Sequence, residues 1–216
     1  MMFFFRRRSI PIYLRCRYIF DFIVALLIFI LALPVMLIVS LLISLDGGSI
    51  IFRQARVGVS GKEFKVYKFR SMLENADDYL TESGRVIGNR VTLVGKIIRK
   101  TSIDEMPQLV NILRGEMAII GPRPILPKML AYMSDSEKRR FDALPGITGL
   151  AQVNGRNNVK WSERFAMDVK YIDNVGLALD IKIAIKTIAM VLTSADISSD
   201  RNAEKVDDVT SRKISS

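Results

Sequence analysis

Two adjacent carboxylates, Asp104 and Glu105, lie in the densest polar stretch of the chain, Arg99-Lys100-Thr101-Ser102-Ile103-Asp104-Glu105-Met106-Pro107-Gln108. One carboxylate can attack phosphorus as a nucleophile. The other can hold Mg²⁺, which favours carboxylate and phosphate oxygens, and so offset the repulsion between an anionic nucleophile and an anionic substrate. Arg99 and Lys100 place positive charge just ahead of the pair, and Leu109, Ile112 and Leu113 follow at the spacing of one apolar helical face. The pair is therefore expected at a helix N-terminus, a position that attracts phosphate. A purely structural reading uses the same pattern. Ser102 and Glu105 have the spacing of a capping box, and Asp104 would be favourable there through the helix dipole alone.

Three other stretches carry groups suited to an anionic or polyhydroxyl ligand. In Gly121-Pro122-Arg123-Pro124 two prolines fix the backbone around one guanidinium, which suits phosphate or carboxylate recognition; a rigid turn with a solvated Arg reads equally well. Pro145–Asn157 combines glycines that permit close backbone approach with Gln152, Asn154, Arg156 and Asn157, whose groups fit a sugar or a base. Tyr67-Lys68-Phe69-Arg70-Ser71-Met72 alternates basic and aromatic residues as a strand would, with Lys68 and Arg70 on one side. Histidine is absent, which excludes a His-based triad and any imidazole metal ligand. The single cysteine, Cys16, cannot form an internal disulfide and reads as structural.

The elements that must position these residues begin with a hydrophobic run. The 216 residues suit one domain of ordinary size. The net charge of +10 and pI near 9.9 attract polyanions, whether nucleic acid, anionic lipid or phosphorylated small molecules. Phe22 through Leu45 carries no charge, as a membrane element would. Arg6, Arg7, Arg8, Arg15 and Arg17 precede it; Arg53, Arg56, Lys62, Lys65, Lys68 and Arg70 follow. Basic flanks favour the cytoplasmic side, and one straight span cannot put both there. Pro34 sits near the midpoint and lacks a backbone donor. Each arm is then about 18 Å long at 1.5 Å per residue, short of a hydrocarbon core of ~30 Å. A helix–break–helix hairpin returning to the same face fits; a Pro-kinked span is the alternative.

Beyond it, Ser49–Phe52 and Glu63–Phe69 read as extended pieces around a turn at Val57–Gly61. Helices are expected over Leu73–Leu80, Val94–Lys100, Ile103–Arg114, Leu126–Met133, Ser136–Leu144, Trp161–Asn174 and Leu179–Leu192, with a loop at Thr81–Asn89. Leu179–Leu192 could lie in a membrane interface or pack in the core. The polar stretch Ser194–Ser216 is expected to be a disordered tail.

Taken in order, Phe52–Gly58, Tyr67–Met72, Arg99–Gln108, Asn111–Pro124 and Pro145–Asn157 resemble the bacterial sugar transferase family, specifically its small monotopic phosphoglycosyl transferases. The resemblance runs from about Tyr18 to Leu192. It implies an α+β, mostly helical fold: a single cytosolic catalytic domain over 47–193, behind a basic segment 1–18 and a re-entrant membrane helix broken at Pro34 over 19–46, with interfacial amphipathic helices and a tail over 194–216. Where family members often have Ser before the proline, this chain has Leu33. The implied chemistry is transfer of a phosphosugar from a UDP-sugar to polyprenol phosphate at the cytoplasmic face of the bacterial inner membrane. Asp104 would be the nucleophile, Glu105 the Mg²⁺ ligand and Arg99 a phosphate contact. Arg123, flanked by Pro122 and Pro124, would meet the nucleotide; Arg156, Lys68, Arg70, Gln152 and Asn154 are further substrate-binding candidates. The implied partners are UDP-sugar, polyprenol phosphate and membrane lipid, with no nucleic acid.

Overall fold

A computed structural model describes residues 12–74, 90–155, 159–193 and 208–209. Helix α1 (Ile12–Leu45) leads into an antiparallel hairpin, β1 (Ile51–Val57) and β2 (Glu63–Phe69). Next come α2 (Leu93–Lys100), a 3₁₀ turn at Ile103–Glu105, α3 (Gln108–Leu113) and a short strand, β3 (Ala118–Ile120). A 3₁₀ segment at Pro127–Tyr132, α4 (Asp135–Lys138) and a further 3₁₀ turn at Arg139–Asp142 precede β4 (Gly146–Thr148). Helices α5 (Leu150–Gly155), α6 (Trp161–Asp173) and α7 (Leu177–Leu192) follow. The class is α+β with helix dominant.

The hairpin pairs Ile51 with Phe69 and Val57 with Glu63, so β1 continues to the residue at which the turn was expected to begin. The sequence does not announce that β3 and β4 pair in parallel, Ala118 opposite Gly146 and Ile120 opposite Thr148, because three-residue strands carry no readable period. Their contact is close: a Cβ added at Gly146 would lie 2.1 Å from the Gly121 nitrogen. Gly146→Ala is expected to force the strands apart at a cost of about 3 kcal/mol, read as a lowered unfolding temperature.

Several helices are shorter than expected. The Ile103–Arg114 stretch is divided into the 3₁₀ turn and α3, because Pro107 has no N–H to continue the ladder. Leu126–Met133 is 3₁₀ over Pro127–Tyr132. In place of Ser136–Leu144, α4 starts at a capping box made by Ser134 and Glu137 and passes into 3₁₀ at Arg139. Helices α2, α6 and α7 fall where expected, with Thr92 capping α2 by accepting from Gly95 N at 2.9 Å. Beyond Glu74, the helix expected at Leu73–Leu80 and the loop at Thr81–Asn89 lie outside the described residues. The tail expectation needs correction at one point. Val209 is buried with Val57, Ile125 and Phe165, and Asp208 accepts from Ser162 N at 3.2 Å in the first turn of α6. An apolar side chain in the core and a carboxylate at a helix N-terminus both favour order. The rest of that stretch lies outside the described residues.

Helix α1 is long and apolar enough to cross a membrane. It runs uninterrupted through Pro34 for 34 residues, about 50 Å at 1.5 Å per residue, which corrects the expected break into two arms. A proline removes one donor, whereas unwinding in apolar surroundings would strand several peptide groups. Its buried stripe, Leu14, Arg17, Asp21, Ala25, Ala32, Val39 and Ile43, faces the rest of the protein. Near the N-terminal end, Arg17 donates to Asp180 (2.9 Å), to the Ile120 carbonyl (2.9 Å) and to the Tyr171 hydroxyl, and Asp21 accepts from Ile119 N at 3.2 Å. Midway, Ala25 packs with Val66, Leu109, Ile112 and Met117. At the C-terminal end Val39 and Ile43 pack with Phe69 and Ile98. Both ends of the apolar helix thus grip the same folded body. The opposite face is exposed and apolar, and α7 exposes Ile181, Ile185 and Ile188 at helical spacing.

Candidate active site

Four segments converge on the Asp104–Glu105 pair. The 3₁₀ turn carries both residues. Lys68 comes from β2, Arg99 from the end of α2, and Arg123 from the loop after β3. Glu105 Oε1 accepts from Lys68 Nζ and from Arg123 Nη2, the latter at 3.0 Å. The capping-box reading of Ser102 and Glu105 is not realised. Ser102 has φ 58° and makes no side-chain cap bond, so Glu105 turns toward the cations instead. A non-glycine residue in the left-handed region carries strain, which clusters at functional sites.

The two carboxylates are driven apart in acidity. Burial alone would raise Glu105, but Arg123 and Lys68 overcome it and hold its pKa down to about 2. Asp104 is raised by burial and by its anionic neighbour, against the opposing pull of Lys68, Arg99 and Arg123. Lys68 is lowered by burial, with Glu105 acting against that shift. Neighbouring titratable groups pushed in opposite directions are a signature of divided chemical roles. Arg99 Nη1 is buried with no partner among the described residues, an arrangement that suits an anionic oxygen. The donor set for Mg²⁺ is two adjacent carboxylates; among the described residues no group of three or more acidic, Cys or His side chains converges. Mg²⁺ needs only one or two carboxylates when substrate phosphates complete its shell, so the pair fits.

The loop holding Arg123 is fastened at three successive carbonyls. Gly146 N donates to Pro122 O (3.0 Å), Arg140 Nη2 to Arg123 O (2.7 Å) and Arg56 Nη1 to Pro124 O (3.3 Å). Arg140 in turn pairs with Asp168, both buried. Beside the loop lies an open cleft whose lining includes Phe52, Gln54, Lys68, Gln108 and Arg123.

A family model described as bacterial sugar transferase matches residues 12–194. The chain belongs to that family. Over 153 residues it is 43% identical to the sugar transferase EpsL of Bacillus subtilis, spanning 70% of this chain and 74% of that one. It is 40% identical over 191 residues to an undecaprenyl-phosphate galactose phosphotransferase of Salmonella typhimurium, covering 80% of this chain and 40% of that one. A UDP-glucose:undecaprenyl-phosphate glucose-1-phosphate transferase of Caulobacter vibrioides is 38% identical over 185 residues, covering 82% and 69%.

In this sugar transferase Asp104, Glu105, Lys68, Arg99 and Arg123 share one site, but other candidates stand elsewhere. Arg70 donates to the Ile43 carbonyl (3.2 Å) and to the Gly47 carbonyl, capping the C-terminal end of α1. A cation there complements the helix dipole, and although Arg70 follows β2 directly, two residues after Lys68, it meets a different partner. Gln152 donates to Ile147 O at 3.2 Å. Asn154 donates to Leu150 O and accepts from Lys186 Nζ at 2.7 Å, tying α5 to α7. Arg156 lies outside the described residues. Arg140, Asp168 and Gln108 escaped sequence reasoning. A buried Arg–Asp pair leaves no local spacing to find, and Gln108 read as the end of a polar stretch.

Proposed function

We propose that this sugar transferase moves a phosphosugar from a UDP-sugar to a polyprenyl phosphate in two displacements, as the first membrane step of glycan assembly. The observation that carries the reading is the Asp104–Glu105 pair, split in acidity and ringed by Lys68, Arg99 and Arg123. An Asp104 carboxylate oxygen attacks the phosphorus that bears the sugar. That P–O bond forms as the bond to UMP breaks, and UMP leaves with the electron pair. A phosphate oxygen of the polyprenyl phosphate then attacks the same phosphorus, the bond to Asp104 breaks, and the carboxylate is restored. Splitting the reaction means that the soluble donor and the bilayer-bound acceptor need not occupy the site together. Lys68 and Arg123 fix Glu105 beside the nucleophile, and Arg99 Nη1 offers a donor to the phosphate under attack. Mg²⁺, held by Glu105 and substrate phosphates, would supply further charge neutralisation.

The grip of one folded body on both ends of α1 supports a helix whose two ends both stand at the cytoplasmic face. A straight span would carry that body into the hydrocarbon. The names of the Salmonella and Caulobacter relatives support the acceptor.

Purified protein with Mg²⁺, undecaprenyl phosphate and a panel of UDP-sugars is expected to release UMP, and donor alone to leave a sugar-phosphate adduct on Asp104, read by mass spectrometry. Release of UDP, or no adduct with any donor that turns over, would overturn the mechanism.

A further inference from the structure

We propose that the cleft beside Glu105 holds the nucleoside monophosphate part of the donor, with Gln108 and Arg56 as binding residues for it. This rests on the transfer reading above and adds where the leaving group sits.

Three observations carry it. The first is shape. Side chains two apart on a strand share a face, so Phe52, Gln54 and Arg56 on β1 stand beside Val66 and Lys68 on β2, and all five line the cleft. From the Phe52–Lys68 rung to Arg56 is four residues, about 13 Å at about 3.3 Å each, enough for phosphate, ribose and base in line. The second is charge. Arg56, Lys68 and Arg123 line the cleft, and no carboxylate is among its lining residues. Such a wall suits phosphate oxygens and base carbonyls. Gln54 Oε1 holds Arg56 Nη2 at the cleft, and Phe52 is 46% exposed, leaving ring surface for a base to stack on.

The third is an unmet hydrogen bond. Gln108 lines the cleft at the start of α3, is 3% exposed, and has its amide nitrogen buried without a partner among the described residues. A half-turn of the amide presents either the nitrogen or the oxygen. A buried unsatisfied amide costs stability, so a purely structural account of Gln108 is weak. A nucleotide in the cleft would meet the need.

The test separates the two roles. Because Gln108 Nε2 has no partner among the described residues, Gln108→Leu is expected to leave the unfolding temperature unchanged or raise it. In the full-length protein, UMP binding by titration calorimetry should weaken at least tenfold. The KM for the UDP-sugar should rise in step, while the KM for undecaprenyl phosphate stays constant. Arg56→Lys keeps the charge but loses the planar fork and should weaken UMP severalfold; it decides the matter if Gln108→Leu folds poorly. Unchanged UMP affinity in these variants, or a rise confined to the acceptor KM, overturns the cleft assignment while UMP release by the wild type keeps the transfer reading. A wild type that releases no UMP from any UDP-sugar ends both.

Discussion

Asp104→Asn is expected to cut UMP release by on the order of 10⁴-fold or more, the scale seen when a covalent nucleophile is removed, while making the protein more stable at neutral pH. The second half follows from the direction of the shift. The folded-state pKa of Asp104 is raised, by burial first and then by Glu105. A raised carboxyl contributes stability below its unfolded pKa and loses it as pH rises through the folded value. At pH 7.5 the ionised side chain is therefore a cost that Asn removes. The difference in unfolding temperature should shrink as pH falls and the wild-type residue protonates. In wild type, the single-turnover rate of UMP release should rise with pH along an acid limb set above the ordinary carboxylate range, because only the ionised form attacks. An Asn variant that is both inactive and less stable at neutral pH would mean that Asp104 is structural.

Arg140→Leu is expected to cost about 3–5 kcal/mol, the usual penalty for stranding one partner of a buried ion pair. Arg140 and Asp168 are each at most 3% exposed, and Arg140 also lies over the Phe165 ring at 5.2 Å. Asp168 is already raised by burial, which outweighs Arg140. Without Arg140 it would be raised further, so the loss should be greater at pH 8 than at pH 5, where protonation relieves the stranded charge. The double variant Arg140→Leu/Asp168→Leu is expected to recover most of the stability, since replacing a buried pair with apolar residues is often neutral or better. It should not recover the KM for the UDP-sugar, because Arg140 also holds the Arg123 carbonyl at 2.7 Å. Full recovery of both stability and KM would show that the pair serves folding alone.

Much of the site was legible because its parts announce themselves locally. Asp104 and Glu105 are adjacent in sequence, and Arg123 is bracketed by prolines. Lys68 stands in the extended piece expected over Glu63–Phe69, which is β2 of the hairpin. The same local signals misled where a side chain's partner is remote. Arg70 looked equivalent to Lys68, yet it caps α1. Ser102 and Glu105 had capping-box spacing, yet Lys68 and Arg123 compete for the carboxylate more strongly than an amide does. Gln152 and Asn154 looked like ligand groups, yet the Gln152 amide nitrogen donates to Ile147 O, and Asn154 is engaged by Leu150 and Lys186.

What the amino-acid order determined alone is the type of each element and the chemistry on offer: an apolar N-terminal helix, a hairpin, a carboxylate pair in a basic setting, and no histidine. These depend on periodicity and on neighbours a few residues away, which the chain writes directly. Only the tertiary structure decided which cations meet Glu105, that Arg17 and Arg70 fasten the two ends of α1, and that Arg140 and Asp168 lock the backbone of Arg123. Those contacts join residues 17 to 163 positions apart. They are selected by the shared need of buried charges for partners, a condition that exists only once the core has closed around them.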